Sequence, residues 1–501
     1  MSKKIRYLSL FLAILMVASV LVACGETQEP GSETDYTGTN ANIPVTEQET
    51  DPVEDTLTAL RSKVDWGGKD FGVLYVSDIG GFSEEVEAEQ SVTNESSSAV
   101  INDAVFERNT LFEEYCNLTF VKLPVSNTAI VGRIQSEVQT GTGDFQIANT
   151  TANTAANNAT SGFLYNYLDL DINHEQSWWD SGTLEFALDG RVFFMDGSFN
   201  IMDDDVTFVL MFNKELREQY KIANPYDTVR TGDWTLPYFN SIISQLATEN
   251  GDGKWDEKDT YGFSTPNSIG NTFFYGADLR YVDNSRDMDA PTLVLSDKME
   301  RALDVLSISR SIIHENNSSY VAVAGSEALS RDVFVQGRSL FYCEAASYLR
   351  QLNATMEREY GVVPVPKYDK EQANYTTWRH EIGSTMSIPT SVAKDQNTLD
   401  QFAMVLETYA VLSQKLVRPA YYEVMLTTRN VQDVESAEML DLIFQNRTYD
   451  MAMYFNNLGF TWLFSNAALS SGDNFSSAYK SASNGFDKKI NSILRKLQND
   501  R

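Results

Sequence analysis

Residues 191–220, RVFFMDGSFNIMDDDVTFVLMFNKELREQY, carry two apolar, β-leaning runs at 192–195 and 206–212. Gly190 and Gly197 bound the first run, Asp205 and Asn213 the second, so both read as short buried strands. Asp196-Gly197 and the acidic knot Asp203-Asp204-Asp205 break the chain between them. Asn213 then stands where a side-chain oxygen can cap a helix opening Lys214-Glu215-Leu216. Strand, break, strand and capped helix near mid-chain predict a crossing between two lobes, with a hinge at the crossing and a cleft beside it.

Upstream, residues 70–76, 118–123 and 144–148 read as strands, with helices at 102–115, 129–138 and 149–159. Val105, Leu111, Phe112 and Tyr115 give the first of these helices one apolar face. Strands alternating with helices predict an α/β fold with mainly parallel central sheets. Downstream, Asn224-Pro225 and Gly232-Asp233-Trp234-Thr235 punctuate two helices, the second at 236–248, and 299–313 is amphipathic. A turn at Gly337 leads into a strand ending at Glu344, and 360–366 (YGVVPVP) is a strand closed by prolines. Residues 378–389 read as a second crossing, followed by helices at 399–412, from Pro419, at 436–444 and at 486–497.

At the amino terminus Lys3, Lys4 and Arg6 precede an apolar run at 8–22, shorter than the ~20 residues a spanning helix needs. Leu21-Val22-Ala23-Cys24 follows and resembles a bacterial lipobox. That resemblance implies a signal peptide at 1–23 and diacylation of Cys24, and two acyl chains suffice for stable attachment to the outer face of a cell membrane. Between Gly25 and Asp55 there is no Lys or Arg and little apolar bulk, so 24–64 reads as a disordered acidic tether. The formal charge is −31, and −34 once the three basic signal residues are removed. A surface this acidic argues against nucleic acid or anionic lipid as partner. Apart from Cys24, the cysteines are Cys116 and Cys343, both in partly apolar contexts that suit buried free thiols.

Several motifs stand in an order that resembles one family: Asn102–Asn109 (NDAVFERN), Phe212–Leu216, the loop at 251–262, GVVPVP at 361–366, Pro419–Tyr422 and 433–440 (DVESAEML). The chain from about Asp65 is similar to the extracellular solute-binding lipoproteins of ABC importers, in the sugar-binding branch akin to maltose-binding protein. The resemblance implies a two-lobed periplasmic-binding-protein-like fold of type II with an interlobe hinge. It implies lobe 1 at 65–198 and 382–430, lobe 2 at 199–381 and 431–501, a monomer, and ABC permease subunits as partners. It also places Glu344 and Tyr348 at a strand end that reaches the cleft.

A receptor of this kind needs ligand contacts from both lobes, because only the closed state then satisfies both sets. A carbohydrate calls for aromatic faces against its C–H surface and for carboxylates, amides or Arg around its hydroxyls. Trp178, Trp234, Trp378 and Trp462 lie near element ends, and Asp203, Asp205 and Arg379 near the crossings; Tyr275 joins this set. The competing readings are a core position for each Trp and a solvated turn for the Asp triplet. Residues 248–259 have EF-hand-like spacing, with Asn250, Asp252, Lys254, Asp256 and Asp259 as candidate calcium ligands. Thr248 and Asp259 depart from the usual Asp and Glu at the loop's ends. The sequence has no GxSxG, HExxH, P-loop or GxGxxG motif, and His174, His314 and His380 are scattered, so no enzyme is expected. A glycoside hydrolase built on two carboxylates, or a polysaccharide-binding surface lipoprotein without a transporter, are the alternatives.

Overall fold

The computed structural model describes residues 51–88, 97–284, 290–392, 394–426, 434–470, 472 and 474–499. Strands β1 (Lys69–Val76), β2 (Leu118–Val125), β3 (Ile147–Thr151), β4 (Phe194–Met195), β5 (Phe208–Asn213), β6 (Tyr261–Pro266), β7 (Ser319–Ala322), β8 (Ser339–Ala345), β9 (Tyr360–Val363) and β10 (Ser384–Ser387) form two sheets. The first has the order β2-β1-β3-β10-β4 and the second β9-β5-β8-β6-β7. In each sheet four strands point one way and one is reversed: β10 in the first, β5 in the second. The reversed strand is in each case the one that arrives from the other sheet. The chain thus crosses at 196–207 and again at 364–383. A further return connects the helix Gln396–Leu426, packed on Ser97–Cys116, to Val434–Gln445, packed on β9.

Local rules account for much of this. Asn213 Oδ1 accepts the Leu216 N–H at 3.0 Å and opens the helix Lys214–Gln219. Asn224-Pro225 and Thr235 start the next two helices by side-chain caps, with proline in the first turn where its missing N–H costs nothing. Six consecutive buried residues in β5 match a strand covered on both faces.

Four readings are corrected. Asp51 caps a helix, Pro52–Arg61, whose Leu57 is buried, so 51–64 is not tether. The third strand runs from Ile147 to Thr151, not 144–148, and the following helix starts at Ala152. The helix opening at Leu236 ends at Ile243. Pro419 does not begin a helix: it lies inside Gln396–Leu426, where one backbone hydrogen bond is forgone and packing on the first lobe holds the helix together. The signal segment and Cys24 lie outside the described residues. Cys116 and Cys343 are buried free thiols. Among the described residues no helix is long and apolar enough to cross a membrane.

Candidate ligand-binding site

Open α/β sheets bind ligands outside the carboxyl ends of their strands, where connections diverge to either side. In the first sheet the divergence is at β1, flanked by β2 and β3; in the second it is at β6, flanked by β7 and β8. The helix that follows β3, Ala152–Asn158, opens against the second crossing: the Ala152 and Asn153 N–H groups donate to the Gly383 and Glu381 carbonyls at 2.8 and 3.0 Å. Beyond β6, the Asn267 carbonyl accepts from the Ser465 hydroxyl at 3.2 Å, and Asn271 donates to the Thr461 carbonyl at 3.1 Å. Residues 456–466 therefore touch the carboxyl end of β6, while the crossing beside them touches that of β3.

Beside these contacts is an open groove of about 810 Å³, lined by Glu381 of the crossing and otherwise by residues within 456–489, among them Asn456, Thr461, Trp462, Asn466 and Lys489. Trp462 is 37% exposed and stands edge-on to buried Trp378, with ring centres 5.9 Å apart. His380 fills the corner, stacked on Trp378 at 5.0 Å and 5.7 Å from Trp462. Burial pushes the Glu381 carboxyl up to about 7 and the His380 imidazole down to about 4.

The acidic triplet does something else. Asp203, Asp204 and Asp205 lie on a one-turn helix, Ile201–Asp205, and all three are buried. Asp203 pairs with Arg379 and with Arg447 (2.6 Å), Asp204 with Arg418 and Arg447 (2.7 Å), and Asp205 with Arg350 and the Tyr421 hydroxyl (2.8 Å). Asp196 completes Arg379 at 2.7 Å and Asp180 completes Arg447 at 2.6 Å. Five carboxylates, four of them buried, thus meet four guanidiniums drawn from the second crossing, the helices 347–355 and 396–426, and the segment after the last return. The excess of negative charge has a consequence. Burial raises Asp196 and Asp205 to about 6, and nearby Glu85, held by Ser384, Asn149 and the Met202 N–H, to about 7.

Unfolded carboxyls titrate near 4. Between pH 7 and pH 4 these carboxyls therefore bind protons in the folded chain that they do not bind in the unfolded one, and together they outweigh the opposing effect of His380, which burial keeps neutral, so stability rises as pH falls. Below about pH 4 carboxylates held low by partners, such as Asp180 and Glu438, reverse the trend. The melting temperature is expected to peak near pH 4; a monotonic fall from pH 8 to pH 5 in differential scanning fluorimetry would contradict this.

No protein-family model and no curated protein matches this sequence. Solved structures do. The ABC substrate-binding protein of Listeria monocytogenes in complex with cycloalternan superposes with a TM-score of 0.53 at 13% identity, over 84% of this chain and 99% of that one. The maltose/maltodextrin-binding domain of Bdellovibrio bacteriovorus bound to maltotriose gives 0.51 at 13%, over 84% and 100%. The chain has the two-lobed fold of the ABC substrate-binding proteins. UgpB of Mycobacterium tuberculosis, in complex with glycerophosphocholine, gives 0.50 at 16% over 79% and 96%, so the same fold houses ligands that are not sugars.

Within that fold the sequence-derived site residues separate by place. Trp178 and Trp234 are core residues: their indole N–H groups donate to Glu407 (2.6 Å) and to the Pro364 carbonyl (2.8 Å), and neither presents a face to solvent. Tyr275 is buried with its hydroxyl on Asp450 at 3.3 Å. Asp203, Asp205 and Arg379 belong to the ion-pair hub, which is neither a solvated turn nor open to a ligand as it stands. Trp378 backs the groove, stacked on Phe208 at 4.5 Å, and Trp462 faces it. Glu344 and Tyr348 lie at the carboxyl end of β8, beside β6; burial holds the Glu344 carboxyl at about 7. Sequence reading missed Glu381 and His380 at the groove, Arg418 and Arg447 in the ion-pair hub, and Asn153, whose N–H meets the Glu381 carbonyl at the end of β3. The available signal was the strand-to-helix switch at 151–152, since a polar run there marks a crevice.

The 248–259 loop closes on its own amides. Asp259 accepts the Asn250 and Asp256 N–H groups at 2.8 and 2.7 Å, Asn250 accepts from Asp252 at 3.0 Å, and Asp252 from Lys254 at 2.9 Å. Among the described residues no three acidic, imidazole or thiol groups converge as a metal site.

Proposed function

We propose that this protein is the lipid-anchored substrate-binding component of an ABC importer, which captures a neutral sugar or oligosaccharide between its lobes and passes it unaltered to a permease. The observation that carries this reading is the groove itself: a half-exposed Trp, a buried carboxylate and several amides, joined to the carboxyl end of a central strand in each sheet. Aromatic face plus in-plane acceptors is the chemistry a pyranose needs. The complexes of fold neighbours with cycloalternan and maltotriose support the ligand class. In this reading the molecule acts as a monomer. One lobe holds residues up to about 198 and 382–430, and the other holds 199–381 and the remainder. Calorimetric titration with glucose, maltotriose, mannotriose, cellotriose and xylotriose tests it. Micromolar or tighter binding of at least one supports the proposal, no binding of any counts against it, and newly released reducing ends would mark a hydrolase instead.

Anchoring is part of the same proposal. Cys24→Ser should move the protein from the membrane fraction to the medium with saccharide affinity unchanged; a variant still sedimenting with membranes would exclude Cys24 as the anchor. A stabilising calcium ion in the 248–259 loop is also proposed, and requires the loop's carboxylates to leave their amides. A melting temperature raised by millimolar calcium, and not raised in Asp252→Ala, would support it; no rise in the wild type discards it.

A further inference from the structure

We propose that Glu381, on the second crossing, is the acceptor for a hydroxyl of a neutral polyhydroxylated ligand, and that the proton on this one carboxylate gates binding. The inference rests on the groove being the binding site and adds to it a specific contact and a pH response.

Glu381 is 5% exposed, and its Oε2, buried in the wall of the groove, has no hydrogen-bond partner. Its neighbour at 3.1 Å is His380 Nδ1. That nitrogen accepts the Ile382 N–H at 3.3 Å, so it carries a lone pair, not a proton, and two acceptors face each other. Such a contact is relieved in only two ways: the carboxyl holds a proton and donates it to His380, or a donor arrives from outside. Apart from the backbone N–H of Glu381 itself, no other donor reaches the carboxyl among the described residues. Arg379, on the same crossing, is spent on Asp196 and Asp203. The Tyr454 hydroxyl, from the helix Met451–Tyr454, donates to the Arg379 carbonyl at 3.3 Å. Across the groove Lys489 donates to the Leu458 carbonyl at 2.9 Å, and the helix Ala152–Asn158 brings amides and no charge.

The two states exclude each other. With its proton, Glu381 closes on His380 and offers the ligand only its neutral carbonyl oxygen, a weaker acceptor than a carboxylate. Without it, the carboxylate is a desolvated acceptor, and a ligand hydroxyl repays the burial. Because burial sets the exchange near pH 7, affinity rises with pH through the neutral range, and binding at pH 7 releases a proton.

The test uses whichever saccharide of the panel above binds the full-length protein most tightly. Wild-type affinity is expected to rise about ten- to thirtyfold from pH 5.5 to pH 8.0. Titrations at pH 7 in phosphate and in Tris, whose ionisation heats differ, should show net proton release. Glu381→Gln should lose the pH slope and bind more weakly at pH 8.0. Net proton uptake, no proton exchange, or a slope preserved in Glu381→Gln would each overturn the proposal. The wild-type measurements stand even where the variant fails to fold. Tighter binding of a glucosamine trimer than of any neutral sugar would overturn the neutral-ligand assignment. If no saccharide binds at any pH, the groove reading itself has failed, which is a different result.

Discussion

Arg447→Met should strongly destabilise this protein. The guanidinium is 9% exposed and holds Asp180, Asp203 and Asp204, two of them with no more than 3% exposure. Removing one partner from a buried pair leaves uncompensated charge in low dielectric, at about 3–5 kcal/mol. Asp203 and Asp204 keep Arg379 and Arg418, but Asp180 retains only the Tyr449 hydroxyl and local amides. The comparison is Arg61→Ala, which breaks the Arg61–Glu114 pair, where both side chains are more than half exposed; the expected cost is below about 1 kcal/mol. Adding Asp180→Asn to Arg447→Met should recover part of the loss, because the orphaned charge goes with its partner. Urea unfolding of the four proteins checks this, and an Arg447→Met midpoint equal to that of Arg61→Ala would show that the hub carries no net stability.

Trp462→Ala should have the opposite profile. Its ring is more than a third exposed and leans on Trp378 and His380 by its edge, so little packing is lost. If the exposed face stacks on a sugar, truncating it removes a central aromatic contact, about 2 kcal/mol or some thirtyfold in affinity. Trp234→Ala is the counterpart: a fully buried ring tied to Pro364, whose loss costs about 3–5 kcal/mol of stability while the surviving folded protein binds as before. Unchanged affinity in Trp462→Ala would move the ligand away from this groove.

The crossing at 191–220 was legible because turn residues and a capping Asn speak through local backbone chemistry, which is why β5 and its capped helix stand where the pattern puts them. The Asp triplet was visible but its role was not: its partners Arg350, Arg418 and Arg447 sit more than a hundred residues away, in unremarkable helices and a short strand. The same limit hid Glu381, an ordinary Glu in sequence that burial and a neighbouring lone pair single out in space. Trp178 and Trp234 stand near loops in sequence yet belong to the core, since nearness to an element end says nothing about which way a ring turns. Pro419 was read as a start because proline favours first turns; in Gln396–Leu426 tertiary packing overrides that preference.

The central claim is that two lobes close around a sugar and release it intact. Small-angle X-ray scattering with and without the tightest-binding saccharide of the panel, followed by mass analysis of the recovered saccharide, tests it most directly. The account predicts a smaller radius of gyration in the bound protein and a saccharide of unchanged mass. An unchanged radius at saturation, or a shortened saccharide, would contradict it.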